Sequence, residues 1–113
     1  MKMIVTGGAG FIGSCLLSKL NAEGIDDILV VDELGATEKW RNLSGKSFAD
    51  YIEKEDFLDL LEDNRLGASF DRIIHFGAAT STTETDASFL IQNNYRYSRR
   101  LCEWALAKKV PFL

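Results

Sequence analysis

The sequence predicts an α/β fold built on a doubly wound parallel sheet. Two observations carry that expectation. Short apolar runs alternate with longer amphipathic ones along the whole chain, and a glycine-rich turn, "TGGAGFIG", joins the first apolar run to the first amphipathic one. Strands alternating with helices call for parallel pairing through right-handed crossovers.

The elements follow in order. "KMIV" is a first strand, and Phe11 to Glu23 a helix with Ile12, Leu16 and Leu20 on one face and Gly24 as its stop. "DILVVD", Asp27 to Asp32, is continuously apolar, as suits a strand buried on both faces. A polar stretch, "ELGATEKWRNLSGK", leads to a weaker strand around Phe48 to Ile52. The run "KEDFLDLLED" reads as a helix with Phe57, Leu60 and Leu61 inward, and "DRIIHF", Asp71 to Phe76, as the fourth strand. A long helix spans about Asp86 to Lys108, with Leu90, Tyr97, Leu101 and Trp104 as its apolar stripe. "VPFL" begins a fifth strand, so the sheet is expected to be truncated just after that strand starts.

The chain has 113 residues, enough for one modest core and a single domain. Hydrophobic residues make up 46% and charged residues 27%, an ordinary globular balance. A formal charge of −4 argues against nucleic acid or an anionic membrane as partner. No apolar run approaches the ~20 residues that span a bilayer, and the N-terminus lacks the pattern of a signal peptide. The two cysteines, Cys15 and Cys102, fall within helices and read as buried, reduced thiols of a cytoplasmic protein. No metal site is expected.

Gly7, Gly10 and Gly13 recur every third residue between a strand and a helix. The first permits a tight turn. The second lets a pyrophosphate approach the backbone, and the third lets the helix pack closely. Backbone N–H groups and the positive end of the helix dipole then face phosphates. Asp32 ends the second strand at the distance where an acid meets an adenosine ribose. The expectation is therefore a dinucleotide-binding fold of the Rossmann type.

The second informative segment is "HFGAATSTTETD". Small residues after the fourth strand leave room for a ligand on the backbone at the carboxyl edge of the sheet. Ser81 and Glu84 have capping-box spacing, and Thr83 or Thr85 offers a further cap. His75, the only histidine, is expected to be structural. Asn93 and Asn94 fall on or beside the apolar stripe of the long helix. A buried amide left unpaired costs about 1–3 kcal/mol, so one of them should bond the adjacent loop backbone or a cofactor.

"TGGAGFIG" resembles the Thr-Gly-x-x-Gly-x-x-Gly signature of the extended short-chain dehydrogenase/reductases. "DILVVDEL", "ADYIEKEDFL", "STTETD", "NNYRYS" and "VPFL" extend the resemblance over the whole chain, to the ADP-L-glycero-D-manno-heptose 6-epimerase family. That resemblance implies a cytoplasmic, oligomeric enzyme holding NADP, which inverts a centre of ADP-heptose for the lipopolysaccharide inner core. It implies cofactor contacts at Phe11 and Ile12, at Asp32 and Glu33, at Lys39 and Lys54, at Phe76, Gly77, Ala78, Ala79 and Thr80, and at Asn93, the first of the two helix asparagines. Two positions depart from the family pattern, Glu33 in place of Asn and Phe76 in place of Glu. Glu33 would repel a 2′-phosphate, a repulsion that Lys39 and Arg41 offset, so NADP is preferred and NAD is the alternative.

The family's reaction is redox epimerisation with a Tyr-x-x-x-Lys pair supplying the base. Here Tyr51, Tyr95 and Tyr97 are followed four positions on by Glu55, Arg99 and Leu101. No catalytic residue is therefore assigned. Residues 1–113 are expected to be the N-terminal part of a dinucleotide-binding domain, inactive alone. Another nucleotide-sugar epimerase, dehydratase or reductase, and a non-catalytic dinucleotide-binding module, are the competing readings.

Overall fold

The computed structural model describes residues 1–35, 38–67, 69–76 and 87–113; in the last helix it describes the side chains of residue 88 and of 94 onward. The elements are β1 (Met3–Thr6), α1 (Phe11–Ala22), β2 (Ile28–Asp32), a 3₁₀ helix (Glu38–Leu43), β3 (Asp50–Glu53), α2 (Lys54–Glu62), β4 (Arg72–His75) and α3 (Ala87–Lys108). The four strands form one parallel sheet in the order β3-β2-β1-β4. Beyond β4, Phe112 bridges Ile73 in parallel, with Leu113 N–H donating to the Ile73 carbonyl at 3.0 Å. The apolar end of the chain thus lies beside β4, as "VPFL" suggested, although only as a bridge.

β1 and β2 are buried at every position, as their continuous apolar runs require. Helices cover both faces. On one, Val5, Ile28 and Val30 pack with Leu17 of α1. On the other, Ile4, Leu29, Val31 and Ile73 pack with Phe57, Leu58 and Leu61 of α2 and with Leu101 and Ala105 of α3. Alternate residues of β1 and β2 therefore serve opposite cores, which is the doubly wound arrangement.

Some sequence expectations shift. Ile12 is 66% exposed, and the inward face of α1 is instead Gly13 and Leu17, with Leu16 and Leu20 half-buried. The cause is Gly13, which presses against the preceding turn and fixes which side of the helix faces the sheet. In α2 the fully buried residues are Phe57, Leu58 and Leu61, while Leu60 is half-buried. Cys15 is exposed and Cys102 half-buried, so neither is the core thiol expected; Cys15 lies on the outward side of α1. β3 starts at Asp50 rather than Phe48, and the 3₁₀ helix was not anticipated.

Candidate functional site

Because all four strands are parallel, their carboxyl ends share one edge. Thr6 is in register with Val31 and His75, and Asp32 with Glu53. In this strand order β1 is followed on one side by β2 and on the other by β4, so the switch point lies at the end of β1, where ligands of open α/β sheets bind.

The glycine turn sits there. Gly7 has φ +70° and abuts β4: a β-carbon on it would stand 2.1 Å from the Phe76 carbonyl oxygen. A β-carbon on Gly13 would stand 2.2 Å from the Gly7 carbonyl oxygen and 2.8 Å from Gly8 Cα. The third glycine thus lets the helix close on the turn itself, more than on the strand. Gly10 differs. Among the described residues, a β-carbon there meets only the Gly7 carbonyl oxygen, at 3.3 Å, so they leave that side open. Gly10 is also the N-cap of α1, without a side-chain cap and without an acid in the first turn. Phe11 and Ile12 follow, 80% and 66% exposed. An uncapped, positively polarised helix start beside an open glycine is what a pyrophosphate requires, so the residues present fit a dinucleotide.

Asp32 is buried, and its carboxylate is held from several sides. Oδ2 accepts from the Ala9 N–H at 2.8 Å; Oδ1 accepts from its neighbour Glu33 N–H at 2.7 Å and from Lys39 Nζ at 2.6 Å. Asn42 Nδ2 donates to the Ala9 carbonyl at 2.8 Å. The Tyr51 hydroxyl lies 2.8 Å from the Asp32 carbonyl oxygen and 3.1 Å from Glu53 Oε1. Burial first, then the Glu53 carboxylate, raises the Tyr51 pKa, so this phenol stays protonated and donates. Glu33 is exposed, and Arg41 pairs with Glu38 at 3.2 Å.

On the α3 side, His75 bridges two hydroxyls: Nδ1 lies 2.5 Å from Thr6 Oγ1 and Nε2 2.8 Å from Ser98 Oγ. Its ring stacks on Tyr97 at a centroid distance of 5.9 Å. Burial, helped by the Lys54 cation, lowers the His75 pKa, so the ring stays neutral and serves one hydroxyl as donor and the other as acceptor. That is the structural role expected of it. Lys54 Nζ sits 4.7 Å from the Tyr97 ring centroid, a cation–π contact. Among the described residues the buried Tyr97 hydroxyl has no hydrogen-bond partner, and burial raises its pKa.

The structure therefore gathers Gly7, Gly10, Phe11, Ile12, Gly13, Asp32, Lys39 and Phe76 about the end of β1, with Glu33 following Asp32 and Lys54 opening α2. Gly77, Ala78, Ala79, Thr80 and the capping candidates Ser81, Thr83, Glu84 and Thr85 lie outside the described residues, as does the side chain of Asn93. Sequence reasoning missed Ala9, Asn42 and Tyr51. Only the position of Ala9 inside the glycine turn could have signalled it. Among the described residues, no group of His, Cys, Asp or Glu is arranged to hold a metal ion, and no helix is long and apolar enough to cross a membrane.

The model of the NAD dependent epimerase/dehydratase family matches residues 3–113. The ADP-L-glycero-D-manno-heptose-6-epimerase of Nitratidesulfovibrio vulgaris is 48% identical over 110 residues, which cover 97% of this chain and 34% of that protein. The chain thus spans about a third of the length of this curated relative. Among solved structures, the Helicobacter pylori ADP-L-glycero-D-manno-heptose-6-epimerase superposes with TM-score 0.76 at 28% identity, covering 98% of this chain and 37% of that one. The Thermotoga maritima UDP-glucose 4-epimerase, solved with UDP-glucose, gives TM-score 0.76 at 26% identity, covering 97% and 35%.

Proposed function

The chain belongs to the NAD dependent epimerase/dehydratase family, and from that premise we propose that it is the N-terminal, cofactor-holding part of an ADP-L-glycero-D-manno-heptose 6-epimerase. The observation that carries this reading is the 48% identity, over 97% of the chain, to an enzyme of that name. The full-length protein would act on ADP-heptose in the cytoplasm as a homo-oligomer, making a donor for the lipopolysaccharide inner core.

A nicotinamide dinucleotide, when bound, would supply reversible hydride acceptance and donation. This chain's residues hold it. The start of α1, with Gly10, Phe11 and Ile12, meets the pyrophosphate, and Asp32 meets the adenosine ribose. Lys39, Lys54, Phe76 to Thr80 and Asn93 complete the proposed contacts. NADP is the proposed cofactor over NAD, because Lys39 Nζ stands at the Asp32 carboxylate, 2.6 Å away, where a 2′-phosphate would gain from a cation. The proton-transferring base lies outside this chain, since none of its tyrosines belongs to a Tyr-x-x-x-Lys pair.

The test has two arms. The full-length protein is given ADP-D-glycero-D-manno-heptose, and inversion at C6 is followed by proton NMR, with UDP-glucose as the competing substrate. The 113-residue chain is assayed alongside. Heptose inversion by the full-length protein and none by the chain is the expected result. Turnover of UDP-glucose alone would overturn the substrate, and turnover by the isolated chain would overturn its assignment as a cofactor-holding part.

A further inference from the structure

We propose that Asn42, on the 3₁₀ helix between β2 and β3, is a positioning residue that aims the phosphate turn and ties it to Lys39, the cation placed at the adenosine ribose. This rests on the dinucleotide reading above. Ala9 lies between Gly8 and Gly10 and is fully buried. Its N–H donates to Asp32 Oδ2 at 2.8 Å, and its carbonyl accepts from Asn42 Nδ2 at 2.8 Å. The two groups belong to successive peptide planes. In the second plane the Gly10 N–H also donates, to the Gly7 carbonyl at 3.1 Å. That plane is therefore held at both ends.

Peptide planes are rigid, so fixing two in a row leaves the backbone entering α1 little freedom. A turn rich in glycine would otherwise have much entropy to lose when a ligand orders it. Asn42 removes part of that loss beforehand.

The same 3₁₀ helix carries Lys39, three residues before Asn42, and side chains at that spacing lie on one face of a 3₁₀ helix. Lys39 Nζ donates to Asp32 Oδ1 at 2.6 Å. The contacts close a ring: Asp32 to Ala9, Ala9 to Asn42, along the helix to Lys39, and back to Asp32. Asn42 reaches only backbone in this ring, so its effect on a ligand passes through the turn and through Lys39.

The experiment measures dissociation constants of NADP and NAD by calorimetry on the full-length protein and on Asn42→Ala, Asn42→Asp and Asn42→Gln, well below each melting temperature. Asn42→Ala should weaken NAD binding by about three- to tenfold, the range of one lost hydrogen bond. NADP should weaken further, lowering the NADP-to-NAD preference roughly threefold. Asn42→Asp has no N–H to donate and sets a carboxylate against a carbonyl oxygen, so it should lose at least as much. Asn42→Gln keeps the donor and should recover part of the affinity.

A residue that merely stabilised the fold would lower the melting temperature yet leave both constants and their ratio unchanged; that result overturns the proposal. Should Asn42→Ala fail to fold, the contrast between Asp and Gln decides, and equal constants for those two overturn it. A wild-type protein that binds neither dinucleotide overturns the proposed function instead.

Discussion

Gly13 passes so close to Gly7 that a β-carbon on it would stand 2.2 Å from the Gly7 carbonyl oxygen. That oxygen accepts the Gly10 N–H and has no room to retreat without breaking the turn. Gly13→Ala should therefore destabilise the chain by about 3 kcal/mol, the upper range of overpacking. Gly7→Ala should cost at least as much, because φ +70° adds backbone strain to a 2.1 Å clash with the Phe76 carbonyl oxygen. Urea denaturation of the two variants checks both.

His75 makes stability depend on pH in a direction that its surroundings fix. Burial and Lys54 lower its pKa in the folded state below the ordinary 6.5. Folded protein then binds fewer protons than unfolded protein in this window. The contribution is complete above pH 6.5 and is lost as pH falls through the folded value. The urea midpoint should drop on acidification from pH 7.5 to 5. His75→Gln should remove part of that slope, and an unchanged slope would refute the assignment.

Glu33 is exposed and follows Asp32 directly. Under the proposed cofactor placement, Glu33→Asn removes a negative charge near the ribose and should raise NADP affinity relative to NAD. The gain should be roughly three- to tenfold at low salt and smaller at 0.5 M, where screening is stronger. Calorimetric titration with both dinucleotides at two salt concentrations measures it.

Among the described residues, the buried Tyr97 hydroxyl has no hydrogen-bond partner. Tyr97→Phe should leave thermal stability unchanged or raise it by about 1 kcal/mol, while keeping the ring that stacks on His75 and carries Lys54. A fall of several degrees in melting temperature would mean that the hydroxyl is used.

What the sequence conveyed follows from how far each signal reaches along the chain. β2 was legible because "ILVVD" is apolar without a break, and Asp32 because it ends that run. The glycines were legible because the turn is local. The face of α1 was misjudged at Ile12, since periodicity says which residues share a side but not how Gly13 seats that side. Asn42 was invisible for another reason. Its partner, Ala9, lies 33 residues away, and only the folded sheet brings the two together. The Lys39–Asp32 pair lies between these cases: the residues were singled out, their mutual contact was not.

The held peptide planes around Ala9 also bear on kinetics. Under the proposed dinucleotide placement, an arriving ligand would meet a helix start whose approach is already fixed, so little rearrangement would stand between encounter and seating at the phosphate end. In stopped-flow mixing, the observed rate should climb in proportion to dinucleotide concentration without levelling off. Substitutions in the turn's support should then lengthen or shorten the residence time of the ligand far more than they alter its rate of arrival.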